Sequence, residues 1–171
     1  MTGARRTGPT GGPGEGRVLA RDELAAWADG LRAQGRTIAF TNGCFDLVHA
    51  GHLESLRQAA ASADELIVAL NSDASVRQLK GPGRPILPEP ARAALMAALR
   101  PVSAVTIFAE PTPLETILLI RPDVLVKGSE YADADIVGAR EVVAAGGRVL
   151  RVPMVPGWST SQIIAAIRKL P

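Results

Sequence analysis

A single cysteine, Cys44, excludes an internal disulfide and leaves no thiol cluster for zinc, which suits a reducing cytoplasm. Aromatic residues make up only 4% of the 171 positions, and the net charge is only +2, with lysines and arginines scattered along the chain. A nucleic-acid binder carries a basic stripe with interleaved aromatics, so no nucleic-acid partner is expected. No apolar run reaches the roughly 18–20 residues that a bilayer span needs. The first residues also lack the apolar core of a signal peptide, so no membrane partner is expected and the expected location is cytoplasmic. Histidine is nearly absent too, with two residues, His49 and His52. What is present is ordinary for one globular domain: 47% apolar and 21% charged residues, long enough to bury a core without staples.

Residues 1–16 are mostly Gly, Pro, Thr and Arg and offer almost nothing to bury, so they read as a disordered tail preceding a domain over residues 17–171. From Val18 onward helix and strand signals alternate. Asp22 is placed to cap a helix through Leu24, Trp27 and Leu31 that stops at Gly35. Strands are predicted at 37–41, 65–70, 104–108, 123–126 and 148–152. Helices are predicted at 51–61, after Pro113, at 136–145 and at 160–170. A Gly/Pro-rich loop spans 80–90, followed by a helix through Leu95 and Leu99. Buried β-branched strands alternating with helices imply an α/β fold: a Rossmann-like, doubly wound, parallel five-stranded sheet in a single domain.

Such sheets bind ligands beyond the carboxyl ends of their strands. The first strand leads into Thr41-Asn42-Gly43-Cys44-Phe45-Asp46-Leu47-Val48-His49-Ala50-Gly51-His52, which holds both histidines three residues apart at the start of a helix. Strand, glycine-bearing loop and helix N-terminus together are the wiring of a phosphate site. Asn71-Ser72-Asp73, Lys127-Gly128 and Gly157-Trp158-Ser159-Thr160 are delivered to the same rim. A GxGxxG turn is missing after the first strand, which excludes a dinucleotide fingerprint.

The motifs TNGCFDLVHAGH, NSDASVRQLKG with RPI, PDVLVKGSEY and GWSTSQII, in that order, resemble the nucleotidyltransferase superfamily with the HxGH signature. Within it the chain is most similar to the adenylyltransferase domain of bacterial ADP-heptose synthase, which occurs fused to a sugar kinase or alone. The likeness runs from about Val18 to Leu170. It implies transfer of AMP from ATP, with Mg²⁺, to D-glycero-β-D-manno-heptose 1-phosphate, giving ADP-heptose and pyrophosphate. The implied partners are thus ATP and a sugar 1-phosphate, with no fixed protein metal site; a homodimer is the oligomer to expect, since most soluble oligomers are twofold.

By this resemblance His49, His52 and Lys80 are the catalytic residues. Nucleotide binding falls to Asn42, Gly43, Cys44, Phe45, Gly51, Arg92, Lys127, Gly128, Ser159 and Thr160, besides the two histidines. Asp46, Asn71, Asp73 and Arg84 are the implied acceptor contacts. The residue types suit the chemistry: in-line attack at phosphorus needs positioning and neutralisation of growing negative charge. Histidines at i and i+3 share one face of the helix start, and phosphate nearby favours their protonated, donating forms. Gly51 lets the backbone approach the triphosphate.

Each position also has a plainer reading. Cys44 is a small buried residue, or else a thiol without an activating partner. Asp46 either caps the turn or, by the resemblance, orients the acceptor or the metal, and Ser72 or Asp73 either caps a short helix through Val76 and Leu79 or touches the acceptor. Lys80, Arg84 and Arg92 bracket a loop that folds over phosphates, or they are solvated charges. Trp158 is a packing lid or a base-stacking ring. Val102-Ser103 and Ser129-Glu130-Tyr131 depart mildly from the family pattern. Met154-Val155-Pro156-Gly157 lacks the arginine of the RTxGIST motif of cytidylyltransferases, which leans towards ATP. A sister enzyme using CTP or another phosphorylated acceptor, and a nucleotide-binding module without catalysis, are the alternatives.

Overall fold

In the computed structural model Leu66, Ile67, Val68, Ala69 and Leu70 are each no more than 1% exposed, a strand buried on both faces. The structure describes residues 16–130, 132 and 135–170. The elements run β1 (Arg17–Val18), α1 (Arg21–Ala33), β2 (Ile38–Gly43), α2 (Ala50–Ala60), β3 (Glu65–Asn71) and α3 (Asp73–Lys80). They continue with α4 (Glu89–Ala97), β4 (Ala104–Phe108), α5 (Leu114–Ile120), β5 (Val124–Gly128), α6 (Ala139–Ala144), β6 (Arg148–Val152) and α7 (Thr160–Ile167).

All strands pair in parallel, in the order β1-β4-β3-β2-β5-β6. The chain winds outward from β2 through β3 to β4, then crosses back to β5 on the other side of β2. That reversal opens a crevice at the carboxyl ends of β2 and β5. Strand side chains alternate between two cores. Ile38, Phe40, Ile67 and Leu125 face α1, α5 and α6 through Leu24, Leu31, Ile117 and Val142. Ala39, Val68, Leu70 and Val126 face α2 and α4 through Leu56, Ala59, Ala93 and Met96.

The doubly wound parallel sheet is as expected, but it has six strands rather than five. The additional strand is β1, where Arg17 pairs with Ala104 and Val18 with Val105; two residues are too few to show a period. The tail expected over residues 1–16 lies outside the described residues except for Gly16, which is buried. The Gly16 N–H donates to Ala97 O at 2.7 Å, and a Cβ there would meet Val102 O at 2.5 Å, so Gly16 belongs to the fold. Tyr131 also lies outside the described residues. Helix α1 is capped two residues earlier than Asp22: Ala20 is the N-cap, and its N–H donates to the Glu23 carboxylate at 2.9 Å. Asp22 instead sits in the first turn, where its charge favours the helix dipole. No helix among the described residues is long and apolar enough to cross a membrane.

Candidate active site

The last residues of β2, Asn42 and Gly43, run into a turn held by an unusual backbone. Phe45 has φ of 44°, a left-handed conformation that a bulky residue adopts only when its surroundings demand it. Its ring lies over Gly43, where a Cβ would stand 3.1 Å from Phe45 Cε2, and reaches the His52 ring at a centroid distance of 5.0 Å. Gly43 is thus packed closely against Phe45, whose ring a side chain there would push by a few tenths of an ångström.

Helix α2 begins with His49 as its N-cap. Its Nδ1 accepts from the His52 backbone N–H at 3.4 Å, in the manner of a serine or aspartate cap. Accepting at Nδ1 puts the ring proton on Nε2, so neutral His49 presents an Nε2–H outward. The His52 ring stacks on His49 at 3.8 Å and 20°. Burial lowers the pKa of both, that of His52 to about 4 with His49 adding to the effect. In the ligand-free protein burial therefore favours the neutral imidazoles, and the protonated forms expected from the sequence belong to the state with phosphate bound. His52 Nδ1 is buried without a partner among the described residues.

Gly51 packs at this helix start. A Cβ there would meet His49 Cε1 and Nδ1 at 3.1 Å and Trp158 Cβ at 3.4 Å. The N-terminus of α7 abuts the same turn, with Ser159 Oγ accepting from Gln162 N–H at 3.1 Å and Thr160 Oγ1 donating to Leu47 O at 3.3 Å. Ser159 caps α7, and Thr160 ties that helix to the histidine turn. Across the crevice Lys127 Nζ donates to Asn42 Oδ1. Burial lowers the lysine pKa to about 8 against the opposing charge of Glu130. Gly128 ends the same strand.

Four charged residues expected to meet ligands are joined in two ion pairs beneath the turn. Asp46 is buried; its carboxylate accepts from Ile86 N–H at 2.8 Å, Leu87 N–H at 2.9 Å and Arg84 Nε at 2.5 Å. Burial opposes ionisation, but the two backbone donors and Arg84 outweigh it and hold this carboxyl below its ordinary pKa. Arg92 is fully buried, donating to Leu87 O at 3.0 Å, Cys44 O at 2.7 Å and Asp73 Oδ1 at 2.7 Å. Asp73 N–H in turn donates to Glu89 at 2.8 Å, a residue that no motif singles out. Asn71 is buried and donates to Ser75 Oγ at 3.0 Å. Ser72, not Asp73, caps α3, accepting from Ser75 N–H at 3.2 Å.

The reading of Arg92 as a loop cation over phosphates is corrected accordingly: it is an internal strut that fixes the Cys44 carbonyl. Asp46, Asn71 and Asp73 are likewise engaged inside the protein. The Cys44 thiol lies 3.9 Å from Asn71 Oδ1, and burial raises its pKa against the pull of Lys80, Arg92 and Arg84, so it is not an activated nucleophile. Lys80 is exposed at the end of α3. It shares a cavity of about 370 Å³ with Arg84, Ile86, Ile164 and Arg168. Arg168 was not expected; nothing in the pattern of the last helix marks a residue that only the packing of α7 against the 80–86 loop brings to Lys80.

The arrangement suits transfer at phosphorus: two adjacent ring donors at a helix N-terminus, a nearby lysine, and no side chain serving as a covalent nucleophile. Comparison with known proteins agrees. A family model described as cytidylyltransferase-like matches residues 40–166. The bifunctional protein HldE of Azorhizobium caulinodans is 52% identical over 153 residues, covering 90% of this chain and 32% of that protein. That of Acidiphilium cryptum is 51% identical, covering 89% of this chain and 31% of its own length. The chain thus spans about a third of the curated relatives it matches. The crystal structure of the lipopolysaccharide core biosynthesis protein from Thermoplasma volcanium superposes with a TM-score of 0.58 at 26% identity, covering 71% of this chain and 98% of that one. Sequence match and site geometry lead to one conclusion: the chain belongs to the cytidylyltransferase-like family and is a nucleotidyltransferase.

Proposed function

We propose that the chain transfers AMP from ATP to D-glycero-β-D-manno-heptose 1-phosphate, releasing pyrophosphate. A phosphate oxygen of the sugar attacks the α-phosphorus in line; the new P–O bond forms as the bond to the β-phosphate bridge breaks. The observation that carries the reading is the stacked pair His49 and His52 at the start of α2, with the His49 proton held on Nε2. Their ring donors and the helix N-terminus meet the charge that grows on the α-phosphate oxygens. Ser159, Thr160 and Lys80 take the β- and γ-phosphates, and Asn42, Gly43, Cys44, Phe45, Lys127 and Gly128 line the nucleotide. Arg92 serves the nucleotide through Cys44.

Mg²⁺ enters with ATP as part of the substrate. Asp46 is already satisfied by two N–H groups and Arg84, and the described residues contain no set of three or more His, Cys, Asp or Glu side chains placed to hold an ion. Bound with the triphosphate it would neutralise phosphate charge while keeping several waters, the usual habit of this cation. The acceptor's phosphate enters beside Arg84, whereas Asp46, Asn71 and Asp73 act by holding the segments around it. Likeness to proteins named bifunctional HldE and to a lipopolysaccharide core biosynthesis protein supports the sugar acceptor. A twofold homodimer in the cytoplasm is the setting we propose.

Pyrophosphate release with Mg²⁺ tests the reading, with ATP and CTP each offered heptose 1-phosphate and other small phosphorylated acceptors. Turnover with ATP and heptose 1-phosphate alone is expected. Preference for CTP or another acceptor overturns the substrate, and nucleotide binding without turnover on any acceptor overturns the enzyme.

A further inference from the structure

The His49 cap bond, at 3.4 Å, is near the outer limit of a hydrogen bond and holds the ring plane weakly. Two neighbouring rings set the plane. His52 lies against His49 at 3.8 Å and 20°; the indole of Trp158 lies against His49 at 6.5 Å and 24°, within the range of offset aromatic pairs. With Phe45 behind His52, four rings form one column: Phe45, His52, His49, Trp158.

The backbone on both sides places Trp158 there. Gly157 before it has φ of 80°, which a side chain would strain; Ser159 after it caps α7, and Thr160 binds Leu47 O in the histidine turn. Gly51 leaves the space in which the Trp158 Cβ and the His49 ring both approach α2. Trp158 is nevertheless 48% exposed, a large indole that burial alone does not account for.

We propose that Trp158 is a positioning residue that closes the ring column and fixes the plane of His49, so that its Nε2–H meets the reacting phosphate. It acts through His49 and does not read the base. The inference rests on the nucleotidyltransfer reading of this site, so its test has one arm that needs no turnover.

In a Trp27→Phe background Trp158 is the one remaining indole of the two in the chain. Adding His49→Ala is expected to shift its emission maximum and intensity in the ligand-free protein. Unchanged emission overturns the stack, whatever the substrate. In the turnover arm, Trp158→Ala is expected to lower kcat by roughly 10- to 100-fold, the cost of a slightly misplaced catalytic group. KM for ATP is expected to stay within about threefold. Trp158→Phe, which keeps a flat ring, restores most of kcat. A Trp158→Ala enzyme with wild-type kcat, or a loss confined to KM, overturns the positioning role. A wild-type protein inert with every acceptor overturns the activity reading and leaves the emission arm to decide the stack.

Discussion

Replacing Arg92 with Met tests whether the buried strut, rather than surface charge, organises the turn. The guanidinium is fully buried and spends three donors on Cys44 O, Leu87 O and Asp73, while the Asp73 side chain is only 24% exposed. Methionine fills a similar volume but leaves a carboxylate without its cation and two carbonyls without donors. Breaking a buried pair from one side costs about 3–5 kcal/mol. For a chain of this size that is a fall in Tm of about 6–20 °C. Urea unfolding with a constant slope measures the loss. A second variant isolates its source: with Asp73→Asn added, the abandoned carboxylate is gone, so the double variant is expected to be more stable than the sum of the single losses predicts by about 1 kcal/mol or more. An Arg92→Met protein within about 1 kcal/mol of wild type, or strictly additive losses, would refute the reasoning.

Three further outcomes are expected. Asp46 has its folded pKa below the ordinary 3.8, so its contribution is full above that value and is lost as pH falls through the depressed one; the stability gap between wild type and Asp46→Asn, large at pH 7, closes in acid titrations of urea unfolding. His52 runs the other way in chemistry: its pKa falls from 6.5 to about 4 on folding, so the unfolded chain takes the proton first, and the ligand-free protein loses stability between those pH values. His52→Gln lacks that component of the loss, and equal pH dependence in the two proteins argues against a neutral buried imidazole. Gly51→Ala gains up to about 1 kcal/mol of helix propensity, yet its methyl sits 3.1 Å from the His49 ring, so kcat is expected to drop while Tm holds or rises. A variant with unchanged kcat denies the close packing at that position.

The sheet was legible because its signals are local. The continuous apolar run Leu66–Leu70 is bounded by polar residues and short enough to read as a strand, and Ala104–Phe108 and Arg148–Val152 fall where expected. The rim was legible for the same reason, since every polar loop follows a strand in a parallel sheet. Arg92 was misread because an arginine after a Gly/Pro-rich loop looks solvated; only the fold shows that a carboxylate and two carbonyls wait beneath it. Strand β1 was missed because two residues carry no period, and its pairing partner lies far along the chain.

The sequence by itself determined the α/β alternation, the parallel sheet and the placing of His49 and His52 at a helix start behind β2. Strand runs, a glycine-bearing turn and helix periodicity are properties of neighbouring residues, so no distant contact is needed to read them. Only the tertiary structure decided the protonation state of the two histidines, since burial and the cap bond set it. It also decided the inward turn of Asp46, Asp73 and Arg92, and the seating of Trp158 on His49. Those depend on which distant segments meet at one edge of the sheet: the 84–87 loop beneath the turn, and α7, more than a hundred residues further on, above it.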